Sequence, residues 1–264
     1  MDPRDVDVTP VAWREVGAGA PALFLHGLGM TRTGWDDVTT PLADRYRCVA
    51  WDMPGFGASP ALAQPLTLTG AATAATALIG VLGGEVHLVG MSMGGMIALI
   101  VALEHPGCVR SLTLLNTSPA FGIDGTDAEQ WQEQRLAPLA VAAGTEQFAE
   151  PVLRSVMAPN PDPAAVASAV ASMQRITIAG LRAAILALPA HDVRSRLSMI
   201  AAPTLVAVGE LDRETPLAYS EALVAGIPGA RLAVIPGAGH LTPFEAPLAV
   251  ARLIGDHFDT VEAA

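Results

Sequence analysis

The chain has 264 residues, 51% of them hydrophobic and only 16% charged, which suits one large domain, or one domain with an insertion, and excludes a disordered chain. Fifteen basic against 26 acidic residues leave a net charge of −11, which counts against nucleic acid and anionic membrane as main partners. All fifteen basic residues are Arg; without Lys there is no Schiff-base catalysis, no internal PLP attachment and no P-loop phosphate grip.

The opening Met1-Asp2-Pro3-Arg4-Asp5-Val6-Asp7 is acidic and lacks the basic-then-apolar pattern of a signal peptide. Short apolar runs of β type then follow at Val11 to Val16, Ala22 to Leu25, Arg47 to Trp51, Glu85 to Val89 and Ser111 to Leu115. Helical stretches separate them at Trp35 to Ala43, Thr67 to Leu82 and Met93 to Glu104. This alternation predicts an α/β fold, a mostly parallel sheet covered by helices on both faces. It breaks between Asn116 and Pro203, where three helix-like segments replace it, at Asp127 to Ala143, Glu146 to Met157 and Ala164 to Leu188. It resumes with strands at Thr204 to Val208 and Arg231 to Ile235, and helices at Leu217 to Ala225 and Ala246 to Phe258. Residues 1–118 and 190–264 are therefore expected to form the core, and residues 119–189 a helical lid at the carboxyl ends of the strands, where ligands bind.

The apolar stretch Leu88 to Leu103 is interrupted by Gly90, Ser92, Gly94 and Gly95 and reads as a buried strand and helix, so no membrane span is expected. Cys48 and Cys108 form no framework; two unpaired thiols suggest a reducing compartment and a cytoplasmic protein.

Gly90-Met91-Ser92-Met93-Gly94 carries the strongest chemical signal. It follows an apolar strand and opens an apolar helix, the context of a nucleophile elbow. A strained turn needs small neighbours, hence a glycine two residues to either side of Ser92. The Met93 N–H at the helix start then points where an oxyanion would form. Of six histidines, His240 is the best base, because Gly237-Ala238-Gly239-His240-Leu241 is a glycine-rich loop after the last strand. His87, His105, His191 and His257 are expected to be structural. Asp212, just past the strand at Thr204, is the orienting acid, with Glu210 as runner-up. The order Ser92, Asp212, His240 has spacings of 120 and 28 residues, and matches the chain order of the strand-elbow hydrolases.

A second oxyanion donor is expected from the loop His26-Gly27-Leu28-Gly29, with the Leu28 N–H as the donor. His26 is expected to brace this loop, and is also placed among residues near substrate with Gly27, Trp131, Met157 and Leu241. One of Arg135, Arg154, Arg175 and Arg182 is a candidate partner for a substrate carboxylate. Asp52 is expected to shape a turn, and Met91, Met93 and Met96 to pack the elbow.

Together, His26-Gly27-Leu28-Gly29, Asp52-Met53-Pro54-Gly55-Phe56-Gly57-Ala58-Ser59, Gly90-Met91-Ser92-Met93-Gly94-Gly95, Gly209-Glu210-Leu211-Asp212 and Gly239-His240 resemble the α/β-hydrolase superfamily. The resemblance spans nearly the whole chain. It implies the α/β-hydrolase fold, an eight-stranded, mostly parallel sheet with a lid inserted after the sixth strand. Within the superfamily, Gly90-Met91-Ser92-Met93-Gly94-Gly95-Met96 and Leu114-Leu115-Asn116-Thr117 look most like 3-oxoadipate enol-lactonases and related small-molecule esterases.

The expected activity is hydrolysis of a small-molecule carboxylic ester or lactone through an acyl-enzyme. Two alternatives stay open: hydrolysis of a carbon–carbon bond in a ring-cleavage product, and a non-catalytic ligand-binding relative. No metal or organic cofactor is implied, since the Cys and His spacings match no zinc site and Gly27, Gly29 and Gly34 form no dinucleotide pattern. A homo-oligomer is left open.

Overall fold

A computed structural model describes residues 11–264; the acidic opening Met1 to Asp7, read above for a signal peptide, lies outside the described residues. The strands are β1 (Trp13–Val16), β2 (Ala20–Leu25), β3 (Tyr46–Trp51), β4 (Val86–Met91), β5 (Val109–Leu115), β6 (Thr204–Gly209) and β7 (Arg231–Ile235). They form one sheet in the order β1-β3-β2-β4-β5-β6-β7. Only β1 runs antiparallel, pairing with β3. All seven apolar runs of the sequence are strands. The sheet has seven strands among the described residues, against the eight implied by the resemblance. The helical insertion accordingly follows the fifth of them.

The helices are α1 (Asp36–Thr39), α2 (Leu68–Leu82), α3 (Met93–Glu104), α4 (Ala128–Val141), α5 (Ala149–Val156), α6 (Pro163–Met173), α7 (Ile178–Ala187), α8 (Leu217–Gly226), α9 (Thr242–Glu245) and α10 (Pro247–Glu262). β4 is buried along its whole length and α3 from Met93 to Leu103, so the Leu88 to Leu103 stretch is central core. Strands covered on both faces read as continuous apolar runs for this reason. Among the described residues no single helix is long and apolar enough to cross a membrane.

The insertion holds four helices, α4 to α7, where the sequence suggests three segments. The Ala-rich run from Ala164 to Leu188 has no proline to announce a break. The chain leaves helix after Met173, and Thr177 caps a new one by accepting the Gly180 N–H, 3.0 Å away. α6 and the helical run Ile178–Ala190 that begins with α7 meet at 94°. α6 lies against the core loop after β2, where Ser172 Oγ accepts the Thr31 N–H at 2.9 Å.

Candidate active site

β4 ends at Met91 and α3 starts at Met93, so the whole turn is Ser92. Its φ of 52° is in the left-handed region, a strained conformation for a side chain with a Cβ. Close packing fixes its neighbours. A methyl group on Gly90 would overlap the Gly94 carbonyl, and one on Gly94 would overlap the Leu25 carbonyl. The strain lifts Ser92 to the end of the strand, where it lines a cavity of about 450 Å³ under the insertion.

Three side chains from three loops meet there. His240 Nε2 lies 3.0 Å from Ser92 Oγ. His240 Nδ1 lies 2.9 and 3.1 Å from the two Asp212 oxygens. Nδ1 faces a carboxylate, so it carries the proton and Nε2 is free to accept one. Burial opposes the charged imidazole, but the Asp212 charge and hydrogen bond outweigh it and raise the His240 pKa. Burial likewise opposes the Asp212 carboxylate, and His240, Asn116 and the Thr215 N–H override it, so its pKa falls. Glu210, the runner-up acid, points away and accepts the Gly237 N–H at 2.8 Å.

Leu28 and Met93 offer N–H groups with no hydrogen-bond partner among the described residues. Leu28 lines the cavity, and a methyl on its neighbour Gly27 would come within 3.1 Å of Ser92 Cβ. The loop after β2 is thus drawn against the elbow, with His26 bracing it. His26 Nε2 accepts the Met53 N–H at 3.0 Å and Nδ1 donates to the Gly27 carbonyl at 2.9 Å. Burial pushes its pKa down to about 4 and keeps it neutral.

Of the residues expected near substrate, Gly27, Trp131 and Leu241 line the cavity. His26 and Met157 do not. His26 is fully buried with both ring nitrogens engaged, and Met157 packs its backbone against Gly239. Of the four insertion arginines only Arg135 reaches the cavity; its guanidinium pairs with Glu214 at 2.6 Å. Arg154 pairs with Glu150 at the surface. Asp52 shapes its turn as expected, accepting the Arg32 and Ala58 N–H groups at 2.9 Å.

Three contributors escape the sequence. Asn116, after β5, donates to Asp212 Oδ2 at 2.8 Å and accepts Thr242 Oγ1–H at 2.6 Å. Thr215 donates its hydroxyl to Asp212 Oδ2 at 2.7 Å. Thr117 donates to the Ser92 carbonyl at 2.7 Å. The Leu114-Leu115-Asn116-Thr117 run signalled Asn116 and Thr117, without indicating what they hold; no motif marked Thr215. Among the described residues no group of three or more His, Cys, Asp or Glu is placed to hold a metal ion.

Residues 22–253 match the alpha/beta hydrolase family. The chain belongs to that family. It is 33% identical over 241 residues to the polyketide synthase ThaQ of Burkholderia thailandensis, a match covering 85% of this chain but 11% of that much longer protein. It is 29% identical over 267 residues to a pimeloyl-(acyl-carrier protein) methyl ester esterase of Aeromonas hydrophila subsp. hydrophila, covering 94% of this chain and 98% of that relative. The enol-lactonase of Burkholderia xenovorans LB400 superposes with a TM-score of 0.84 over 94% of this chain and 96% of that one. At 22% identity that likeness is one of fold.

Proposed function

We propose that this member of the alpha/beta hydrolase family cleaves a small-molecule carboxylic ester or lactone through an acyl-enzyme on Ser92. The observation that carries the reading is the continuous hydrogen-bonded line Ser92–His240–Asp212 at the wall of a cavity. Ser92 Oγ attacks the carbonyl carbon while His240 Nε2 takes its proton. The oxygen becomes an oxyanion between the Leu28 and Met93 N–H groups. The imidazolium, stabilised by Asp212, returns the proton to the departing alkoxide. An alcohol leaves, or, from a lactone, stays tethered as a free hydroxyl on the acyl group. Water then attacks the acyl-enzyme, gives its proton to His240, and the acid is released with Ser92 restored.

The cavity suits an apolar substrate portion, with Leu139, Phe148, Leu153, Leu181, Ile185 and Leu188 among its walls. Residues 119–189 act as the lid over it. The esterase named in A. hydrophila, similar along nearly its whole length, supports an ester bond. Two unpaired thiols fit the cytoplasmic reading.

The test is the initial rate on p-nitrophenyl esters from acetate to octanoate, with Ser92→Ala alongside. The wild type is expected to turn over with an optimum beyond acetate, and the variant to lose activity at an unchanged Tm. A folded Ser92→Ala protein with the wild-type rate overturns the assignment.

A further inference from the structure

The base sits on a loop that is tied to the insertion. The His240 N–H donates to the Val156 carbonyl at the end of α5, 3.0 Å away. The residues flanking His240 donate elsewhere: Gly239 N–H to Glu245 Oε2 at 3.0 Å and Leu241 N–H to Glu245 Oε1 at 2.9 Å. A third donor reaches the same carboxylate from the insertion, Ala158 N–H to Glu245 Oε2 at 2.7 Å. The approach is so close that a methyl on Gly239 would collide with the Ala158 nitrogen and the Met157 carbonyl carbon. One half-buried side chain therefore gathers three N–H groups from two segments of the chain that lie some 80 residues apart. A carboxylate offers about four lone-pair sites to donors and has no hydrogen of its own to offer them. Glutamine would turn an NH₂ towards at least one of these N–H groups.

We infer that Glu245 is a positioning residue for the proposed hydrolysis, the joint through which the insertion segment 156–158 sets the place of His240 against Ser92. The inference rests on the serine-hydrolase reading above. The His240 loop carries the freedom of two glycines within Gly237-Ala238-Gly239, and a base must stay within hydrogen-bond reach of its nucleophile. Glu245 removes that freedom on both sides of the imidazole at once. Because Ala158 shares the carboxylate, a displacement of the insertion where α5 ends is felt at the base. Val152, Leu153 and Val156 on α5 line the cavity, which links cavity occupancy and base alignment through the same few residues.

The test compares the wild type with Glu245→Gln and Glu245→Asp, the second retaining the charge but too short to span all three donors. Amide hydrogen exchange is read at Ala158, Gly239 and Leu241. The rate and final extent of Ser92 labelling are read with diethyl p-nitrophenyl phosphate. Expected in both variants are exchange at least tenfold faster at those three amides, unchanged exchange in β4 and β5, and labelling at least tenfold slower that still runs to completion. Wild-type exchange at the three amides overturns the joint. Faster exchange with wild-type labelling kinetics overturns the positioning role. Incomplete labelling at the wild-type rate overturns it too, since that marks fewer folded sites and not misplaced bases. A wild-type chain that takes no label fails the hydrolase reading itself, a result told apart from a failed joint because the exchange contrast needs no activity.

Discussion

Asn116 Nδ2 lies 2.8 Å from Asp212 Oδ2, although the two residues are 96 positions apart in the chain. The backbone of Asn116 is left-handed, with φ of 47°, a conformation that asparagine tolerates better than most residues. Its amide also reaches the Gly239 carbonyl at 3.3 Å. Next to it, Thr117 holds the Ser92 carbonyl. The dipeptide after β5 thus touches the elbow, the acid and the base loop.

Asn116→Gly separates the side chain from the backbone, since glycine accepts the same φ without strain. Losing a buried hydrogen bond to a charged group costs about 1.5–3 kcal/mol. A fall in kcat/KM of about ten- to a hundredfold is expected, with a lower Tm. Asn116→Ala adds left-handed strain of about 1–2 kcal/mol and lowers Tm further. Wild-type kcat/KM in the glycine variant would show that Thr215 and backbone N–H groups alone suffice to hold Asp212.

In the proposed mechanism the raised pKa of His240 sets the acid limb of activity. The base works only when neutral, so kcat/KM falls as pH drops through its pKa, which lies above the usual 6.5. In Asp212→Asn the burial remains and the attraction goes, so the limb moves below 6.5. The residual rate at the plateau is expected to be lower by several orders of magnitude, as the wrong tautomer is favoured. A pH profile of kcat/KM for both proteins, read from pH 5 to 9, checks the sign. A limb that stays in place in the variant would assign it to another group.

Arg135 on α4 and Glu214 on the Asp212 loop join the insertion to the core across the cavity wall, with side-chain exposures of 28% and 31%. A pair that accessible contributes at most about 1 kcal/mol. Arg135→Ala is expected to raise KM by up to about fivefold and leave kcat within twofold. Assay of the wild type in 1 M salt, where screening acts within about 3 Å, should move KM in the same direction. An unaltered KM in both conditions would leave the pair without a part in substrate binding.

The sheet and the three central side chains were legible in the sequence for one physical reason. Strands buried on both faces must be apolar throughout, and the elbow's sterics demand glycine at fixed offsets from Ser92. The rest depends on meetings that sequence does not encode locally. Asn116 belongs to a run singled out in the sequence, but what it holds emerges only when β6 and the His240 loop are brought to it. Glu245 reads as a polar residue just before a C-terminal helix; two of its donors, Gly239 and Leu241, are near in the chain, but the third, Ala158, is 87 residues away. Met157 fits the look of a substrate contact, yet it does not line the cavity, and its backbone lies against Gly239. The break between α6 and α7 depends on a threonine cap, a weaker signal than proline within an Ala-rich run.

Buried histidines fix the response of stability to acid. His26, His191 and His257 each have a pKa pushed down to about 4, burial being the main cause, and Arg231 adds to it at His257. Each has at least one ring nitrogen bonded to a backbone group: His26 to Met53 and Gly27, His191 to the Ser118 carbonyl at 3.2 Å, His257 to the Pro203 carbonyl at 3.2 Å. In the unfolded chain they protonate near 6.5, and in the folded chain only near 4. The unfolded state therefore binds more protons in between, and stability is present above pH 6.5 and lost as pH falls towards 4. His240 acts in the opposite sense, its raised pKa favouring the folded state on acidification, but it is one group against these three and His87, whose pKa burial also lowers. Urea unfolding at pH 7 and pH 5 should show a net loss of about 2–4 kcal/mol, taking up to about 2 kcal/mol per lowered histidine. Equal stability at the two pH values would mean that these rings take up protons without unfolding, and that the backbone bonds they make are replaceable by water.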